Sequence, residues 1–76
     1  MSLEQIVDDG IARKYEYDDH TVFAADFGSG EDPTVDVIGE TVIIVTDDGR
    51  HREVEIPAGD VRAFNRNGVV TIEIAQ

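Results

Sequence analysis

From residue 12 onward, apolar and polar residues alternate in short runs, and every run before the last stops at a turn signal. That alternation constrains the fold more than any other feature. A period of two places successive side chains on opposite faces of a pleated strand, which a helix cannot use. The runs fall at 12–17, 21–26, 34–38, 41–46, 51–56 and 69–74, with 61–65 readable as a short strand or a turn of helix. Asp18-Asp19-His20 predicts a hairpin between the first two. A loop with Gly28, Ser29, Gly30 and Pro33 follows, then a tight turn at Gly39-Glu40. Val42-Ile43-Ile44-Val45 is apolar on both faces, which predicts a central strand. Asp48-Gly49 and Asn67-Gly68 supply the positive φ angles that tight hairpins need. Pro57-Ala58-Gly59-Asp60 breaks the fifth run. Val35 and Val37 share a face, Val54 and Ile56 point inward, and Ala63 and Val69 are expected to pack inward beside the Asn-Gly turn. Seven short strands with regular turns predict an all-β antiparallel sandwich.

The first eleven residues follow another rule. Ser2-Leu3-Glu4-Gln5 has the form of a capping box, and Leu3, Ile6, Val7 and Ile11 recur at helical spacing until Gly10 interrupts them. Residues 1–11 therefore read as a short docked helix or a frayed arm, and residues 12–76 as the β domain.

The chain has 76 residues and no cysteine, so aliphatics and five aromatics must form one thin core without a disulfide. That leaves no room for a deep substrate pocket. Seventeen acidic residues face six basic ones, for a net charge of −11, and Lys14 is the only lysine. Such a charge opposes binding to nucleic acid or anionic membranes. It also destabilises the compact state by self-repulsion, a cost that concentrated salt removes. An acid-rich, lysine-poor chain fits a high-salt cytoplasm. No apolar run is long enough to span a bilayer, and Met1 to Gly10 has neither the basic nor the apolar region of a signal peptide. The expected location is cytoplasmic.

No residue constellation suits catalysis. His20 and His51 sit beside turns, far from any metal-binding spacing. The acid pairs Asp18-Asp19, Glu31-Asp32 and Asp47-Asp48 lack the alternating oxygens and distal glutamate of a calcium loop. Gly28-Ser29-Gly30 precedes an acid pair, a proline and a strand instead of the helix that a phosphate loop requires. Ser29, Thr34, Thr41 and Thr71 have no base to activate them, and Asp26 and Asp36 are expected on solvent faces. No enzyme activity, cofactor or metal is expected. Arg13, Tyr15 and Tyr17 remain: they share one face of the first strand and, with Lys14, make a basic, aromatic patch on an acidic chain. Tyrosine and arginine dominate binding hot spots, so these three are the candidate protein-binding residues.

Three stretches resemble the α-crystallin domain of small heat-shock proteins, the Hsp20-like sandwich of immunoglobulin-like character. Residues 19–28, Asp-His-Thr-Val-Phe-Ala-Ala-Asp-Phe-Gly, resemble that family's strand ending in an Ala-Asp-Leu-Pro-Gly turn, with Phe27 for leucine and no proline. Residues 31–44 are similar to its paired strands around a Gly turn. Residues 56–72, from Ile56-Pro57 to Asn67-Gly68-Val69-Val70-Thr71-Ile72, are similar to its "Leu-Pro…Asn-Gly-Val-Leu-Thr-Val" signature. The likeness extends over residues 12–76 and includes short haloarchaeal members. It implies a non-enzymatic, chaperone-like or adaptor module of the stress response that takes a protein partner or unfolded client.

The departures from that family bear on assembly. The long loop that exchanges a strand between partners is reduced to Asp47-Asp48-Gly49-Arg50. The N-terminal arm is short and no C-terminal extension follows Ile74. Ile72-Glu73-Ile74, which matches the extension's docking motif, is placed inside the last strand. A monomer or small homo-dimer is expected, not a large shell. The alternative is an acidic regulatory or accessory subunit that docks on a basic partner without chaperone activity.

Overall fold

The computed structural model describes residues 2–28, 30–57 and 59–75. Ser29 and Ala58, which the sequence places in turns, lie outside the described residues. Helix α1 (Leu3–Asp8) precedes strands β1 (Ala12–Glu16), β2 (His20–Asp26), β3 (Thr34–Ile38), β4 (Thr41–Val45), β5 (His51–Glu55), β6 (Val61–Arg66) and β7 (Val69–Ala75). All strand pairing is antiparallel, in a four-stranded sheet of order β1-β2-β7-β6 and a three-stranded sheet of order β3-β4-β5. The all-β expectation holds at this level. Residues 61–66 form a strand and not a helical turn, because they pair along their whole length with β7. The doubly apolar β4 is the centre of its sheet, and Ile72-Glu73-Ile74 lies within β7.

Inner faces of both sheets supply the core. Phe23 and Ala25 of β2 and Val70 and Ile72 of β7 face Val42 and Ile44 of β4, Val54 of β5 and Ile56 just beyond it. Ala63 is packed against this core as expected. Val69 is not: Val70 is fully buried while Val69 pairs with Asp26 and Arg66 on the opposite face. The two-residue Asn67-Gly68 turn sets this register. With Arg66 paired to Val69, alternation sends Val70 inward.

Of the two readings of residues 1–11, the short docked helix is the one seen, over Leu3–Asp8. Ser2 Oγ accepts from the Gln5 amide at 3.2 Å, and Gln5 Oε1 accepts from the Ser2 amide at 2.8 Å, completing the capping box. At the other end the Gly10 amide donates to Val7 O at 3.0 Å and the Ile11 amide to Ile6 O at 2.9 Å. These are the two bonds of a Schellman cap, and Gly10 takes the required positive φ of 76°. Six residues make a marginal helix on their own; burial of Leu3 and Ile6, the latter 2% exposed, supplies the rest. Ser2 also bridges to Glu55 at the end of β5 while α1 packs on β1. The helix thus closes the side of the sandwich where β1 and β5 are free edges. On the opposite side β3 and β6 approach each other, and Asn65 Nδ2 donates to Asp32 Oδ1 at 2.9 Å.

Candidate functional site

Strand alternation decides which side chains share a surface, and the observed register lets the outer face of the four-stranded sheet be read row by row. Tyr15 of β1 lies opposite Val22, which lies opposite Glu73, which lies opposite Arg62. In the next row stand Arg13, Ala24, Thr71 and Phe64, and in the last Asp26, Val69 and Arg66. The long side chains Arg13 and Tyr15 stand on one edge strand, and Arg62, Phe64 and Arg66 on the other. Small residues fill most outward positions of the two central strands, with Glu73 and Asp26 the exceptions. The resulting face is a shallow trough, about 14 Å between its edge strands at the usual strand spacing. A concavity of about 520 Å³ at its β1 side is lined by Ile11, Arg13, Tyr15, Ala24, Asp26 and Val69.

The structure thus brings Arg13 and Tyr15 together on this face. Tyr15 is 44% exposed and Tyr17 53%. Tyr17 lies past the end of β1, in the hairpin connection, with its ring stacked on His20 at a centroid distance of 4.6 Å. Its amide donates to His20 O at 2.9 Å, so its ring also closes the β1–β2 turn. Lys14 does not join the patch. Alternation turns it to the other side of β1, where its Nζ meets Glu16 at 3.1 Å and Glu4 at 3.7 Å and sits over the Phe23 ring. The hydrogen bond to Glu16, helped by the charge of Glu4, raises its pKa.

Sequence reasoning missed Arg62, Phe64 and Arg66. The period-two spacing Arg-x-Phe-x-Arg marks one face of a strand, but an unresolved choice between strand and helical turn hid it. The Arg66 guanidinium lies 5.9 Å from the Phe64 ring centroid, within cation–π range. Ion pairs among the described residues join Lys14 to Glu4 and Glu16, His20 to Asp19 and Arg50 to Asp48. Arg13, Arg62 and Arg66 take part in none of them.

The outer face of the three-stranded sheet has the opposite character. Its rows read Asp36–Ile43–Glu53 and Ile38–Thr41–Glu55, with Thr34, Val45 and His51 beyond. Ile38 is 58% exposed there. Asp26 and Asp36 are both exposed, on solvent faces as expected. Asp26 Oδ1 accepts from the Gly28 amide at 2.8 Å and so serves its own turn. His20 Nδ1 lies 2.6 Å from Asp19 Oδ1, a contact that lowers the Asp19 pKa. No group of three or more metal-ligating side chains occurs among the described residues. No helix there is long and apolar enough to cross a membrane.

Comparison with known proteins adds one finding. Residues 1–74 match the model of a family of unknown function, DUF7127. No curated protein and no solved structure matches the chain. With nearly its whole length inside that match, the chain belongs to the DUF7127 family.

Proposed function

We propose that this protein is a non-enzymatic protein-binding module of Hsp20-like type, chaperone-like or adaptor, working in a high-salt cytoplasm. The observation that carries the reading is the exposed group on and beside β1. α1 packs against the edge of β1, and outside that contact Arg13, Tyr15 and Tyr17 stand exposed. Exposed aromatics with an arginine beside them give a partner a place to bury apolar surface. Seventeen acids against one lysine support the salt environment. The tight connection between β4 and β5, closed by Thr46 and Arg50 backbone bonding at 2.8 Å, leaves no strand to exchange at that place. That favours a monomer or small homo-dimer, and light scattering in 2 M KCl that gave hundreds of kilodaltons would refute it.

One observation favours the alternative, an acidic accessory subunit on a basic partner: the carboxylates of Asp36, Glu53 and Glu55 gathered on one sheet face. Aggregation of a thermally unfolding client in 2 M KCl separates the two. Suppression by the protein, weakened in the Tyr15→Thr/Tyr17→Thr variant, supports the first. No suppression at any ratio leaves the second. Threonine keeps β-propensity while removing the aromatic area. If the double variant folds and suppresses aggregation as well as the parent, the tyrosines are not the binding site.

A further inference from the structure

We propose that the outer face of the four-stranded sheet is a docking trough for an acidic, extended segment of a partner protein. This deepens the binding reading, and rests on it, by naming the partner's chemistry. The face holds three of the chain's six cations, Arg13, Arg62 and Arg66, and only Asp26 and Glu73 of its seventeen acids. In a chain this acidic, arginines would meet carboxylates at random. Among the described residues Lys14 and Arg50 form ion pairs; Arg52 on the other sheet does not, and nor do these three. Each guanidinium keeps its donors free for a planar, two-oxygen acceptor.

The arrangement also has a shape. Arg62 and Arg66 flank Phe64 on one wall, and Arg13 stands beside Tyr15 on the other. Val22, Ala24, Val69 and Thr71 form a low floor between them, interrupted by Glu73 opposite Arg62 and by Asp26 at one end. A segment lying in the trough would set alternate apolar side chains on that floor and turn carboxylates toward the walls. Only the opposite sign of charge fits. A basic segment would meet three unpaired arginines here, and would find its carboxylates on the other sheet.

Single-stranded nucleic acid also uses arginines and aromatic rings on sheet faces. The net charge of −11 opposes a polyanion, because every phosphate beyond the trough would face carboxylates. A short acidic segment ends where the trough ends.

The test uses a labelled peptide of alternating Asp and Leu, about ten residues and thus about 33 Å long at strand rise. Its binding is measured in about 1 M KCl, where the Debye length of about 3 Å screens the distant acids but not groups in contact. The expected result is binding of this peptide, no binding of its Lys-for-Asp counterpart, and a loss of about tenfold or more in Arg13→Gln/Arg62→Gln/Arg66→Gln. All three arginines are exposed, so the variant should keep the parent's circular dichroism. Shifts of the Tyr15 and Phe64 ring resonances on titration would place the peptide in the trough. Equal binding of the two peptides, no binding of the acidic one, unchanged affinity in the triple variant, or tighter binding of oligo-deoxythymidine each overturns the proposal. Client suppression measured on the parent protein separates the two ideas. If the parent suppresses aggregation but does not bind the acidic peptide, protein binding stands and the trough does not.

Discussion

On the four-stranded sheet the outward positions carry Arg13, Arg62 and Arg66 with Tyr15 and Phe64; on the three-stranded sheet they carry Asp36, Glu53 and Glu55 with Ile38, Ile43 and Val45. The inner faces share one aliphatic core, with Phe23 and Thr21 buried in it and Arg52 paired to Ile44 at one margin. Period-two alternation asks only that one face of each strand be apolar. It leaves the outer positions free, so the separation of charge between two outer faces is not something the fold requires. It also forgoes stability, because opposite charges brought together would attract. Among the described residues these three arginines form no ion pair, although Glu73 lies opposite Arg62, and their guanidiniums stay available to a partner.

The hairpins of the two sheets differ as much as their faces, and there the largest effect is expected. Gly68, in the β6–β7 turn, has φ 82° and donates its amide to Asn65 Oδ1 at 3.0 Å. A Cβ there would lie 2.0 Å from the carbonyl oxygen of Gly28, whose loop accepts this close approach; the Phe27 amide also donates to Gly68 O at 2.8 Å. Gly49, in the β4–β5 turn, has φ 86° and open space around the same position. Gly49→Ala meets only left-handed strain, about 1–2 kcal/mol. Gly68→Ala adds an overlap with backbone, for a total of about 3 kcal/mol or more. At about 4–8 °C per kcal/mol for a domain this size, Tm should fall by more than about 12 °C in the second and by about one to two thirds as much in the first. Equal falls would show that the loop at 27–31 does not depend on Gly68.

Next in size is the response to salt. A sphere with the observed radius of gyration, 11.6 Å, has a radius of about 15 Å. Eleven net negative charges on it cost roughly 7 kcal/mol at 0.1 M salt and roughly 2 kcal/mol at 2 M, by Coulomb's law in water with Debye screening. The unfolded chain spreads the same charge over more volume, so folding gains a part of that difference, on the order of 3 kcal/mol. Tm should rise by about 10 °C or more between 0.1 and 2 M KCl. An unchanged Tm removes the main support for a high-salt setting.

The two outer faces should then respond with opposite sign. Asp36→Asn/Glu53→Gln/Glu55→Gln relieves repulsion and should raise low-salt stability by about 1 kcal/mol, while Arg13→Gln/Arg62→Gln/Arg66→Gln should lower it by about as much. Both differences should shrink in 2 M KCl. Thermal melts at the two salt concentrations check this. If the arginine variant stays destabilised in high salt, those side chains hold native contacts and are not free.

Much of this was legible in the residues. The Asp-Gly and Asn-Gly turns, the doubly apolar β4 and the capping box each have a single physical reading. What failed had a competing one. Arg13-Lys14-Tyr15 looks like a patch along the chain, but alternation separates Lys14 from its neighbours. Val69 was expected inward because it follows the turn, yet a two-residue turn fixes the register so that Val70 is inward instead. The β6 wall of the trough was missed because Val61 to Asn65 is short and carries few strong strand formers. Sheet order was not legible at all: which edges face which depends on pairing across the chain, and only that pairing puts Phe64 and Arg13 in one row.

The smallest effect concerns the β4–β5 turn that the three-stranded sheet has and the four-stranded sheet lacks. Asp48 accepts from the Thr46 hydroxyl, from the Arg50 amide at 3.3 Å, and from Arg50 Nε at 2.8 Å. The Thr46 hydrogen bond above all, then the Arg50 amide, holds its pKa below the ordinary value of 3.8. A carboxyl depressed by folding contributes stability above its unfolded pKa, and loses it as pH falls through the folded one. Asp48→Asn should therefore lower Tm slightly at pH 7, and the gap to the parent should close as pH falls below about 4. Acid has a second, opposing effect. Approaching the pI of about 4.2 removes net charge, so at low salt both proteins should become more stable before the turn is lost. Measuring both in 2 M KCl suppresses that term and also the trivial benefit of removing one negative charge. A gap that stays constant from pH 7 to pH 3 would show that the Asp48→Asn variant fails through packing or geometry and not through the lost charge. A gap that opens on acidification would reverse the sign and remove Asp48 from the account of the turn.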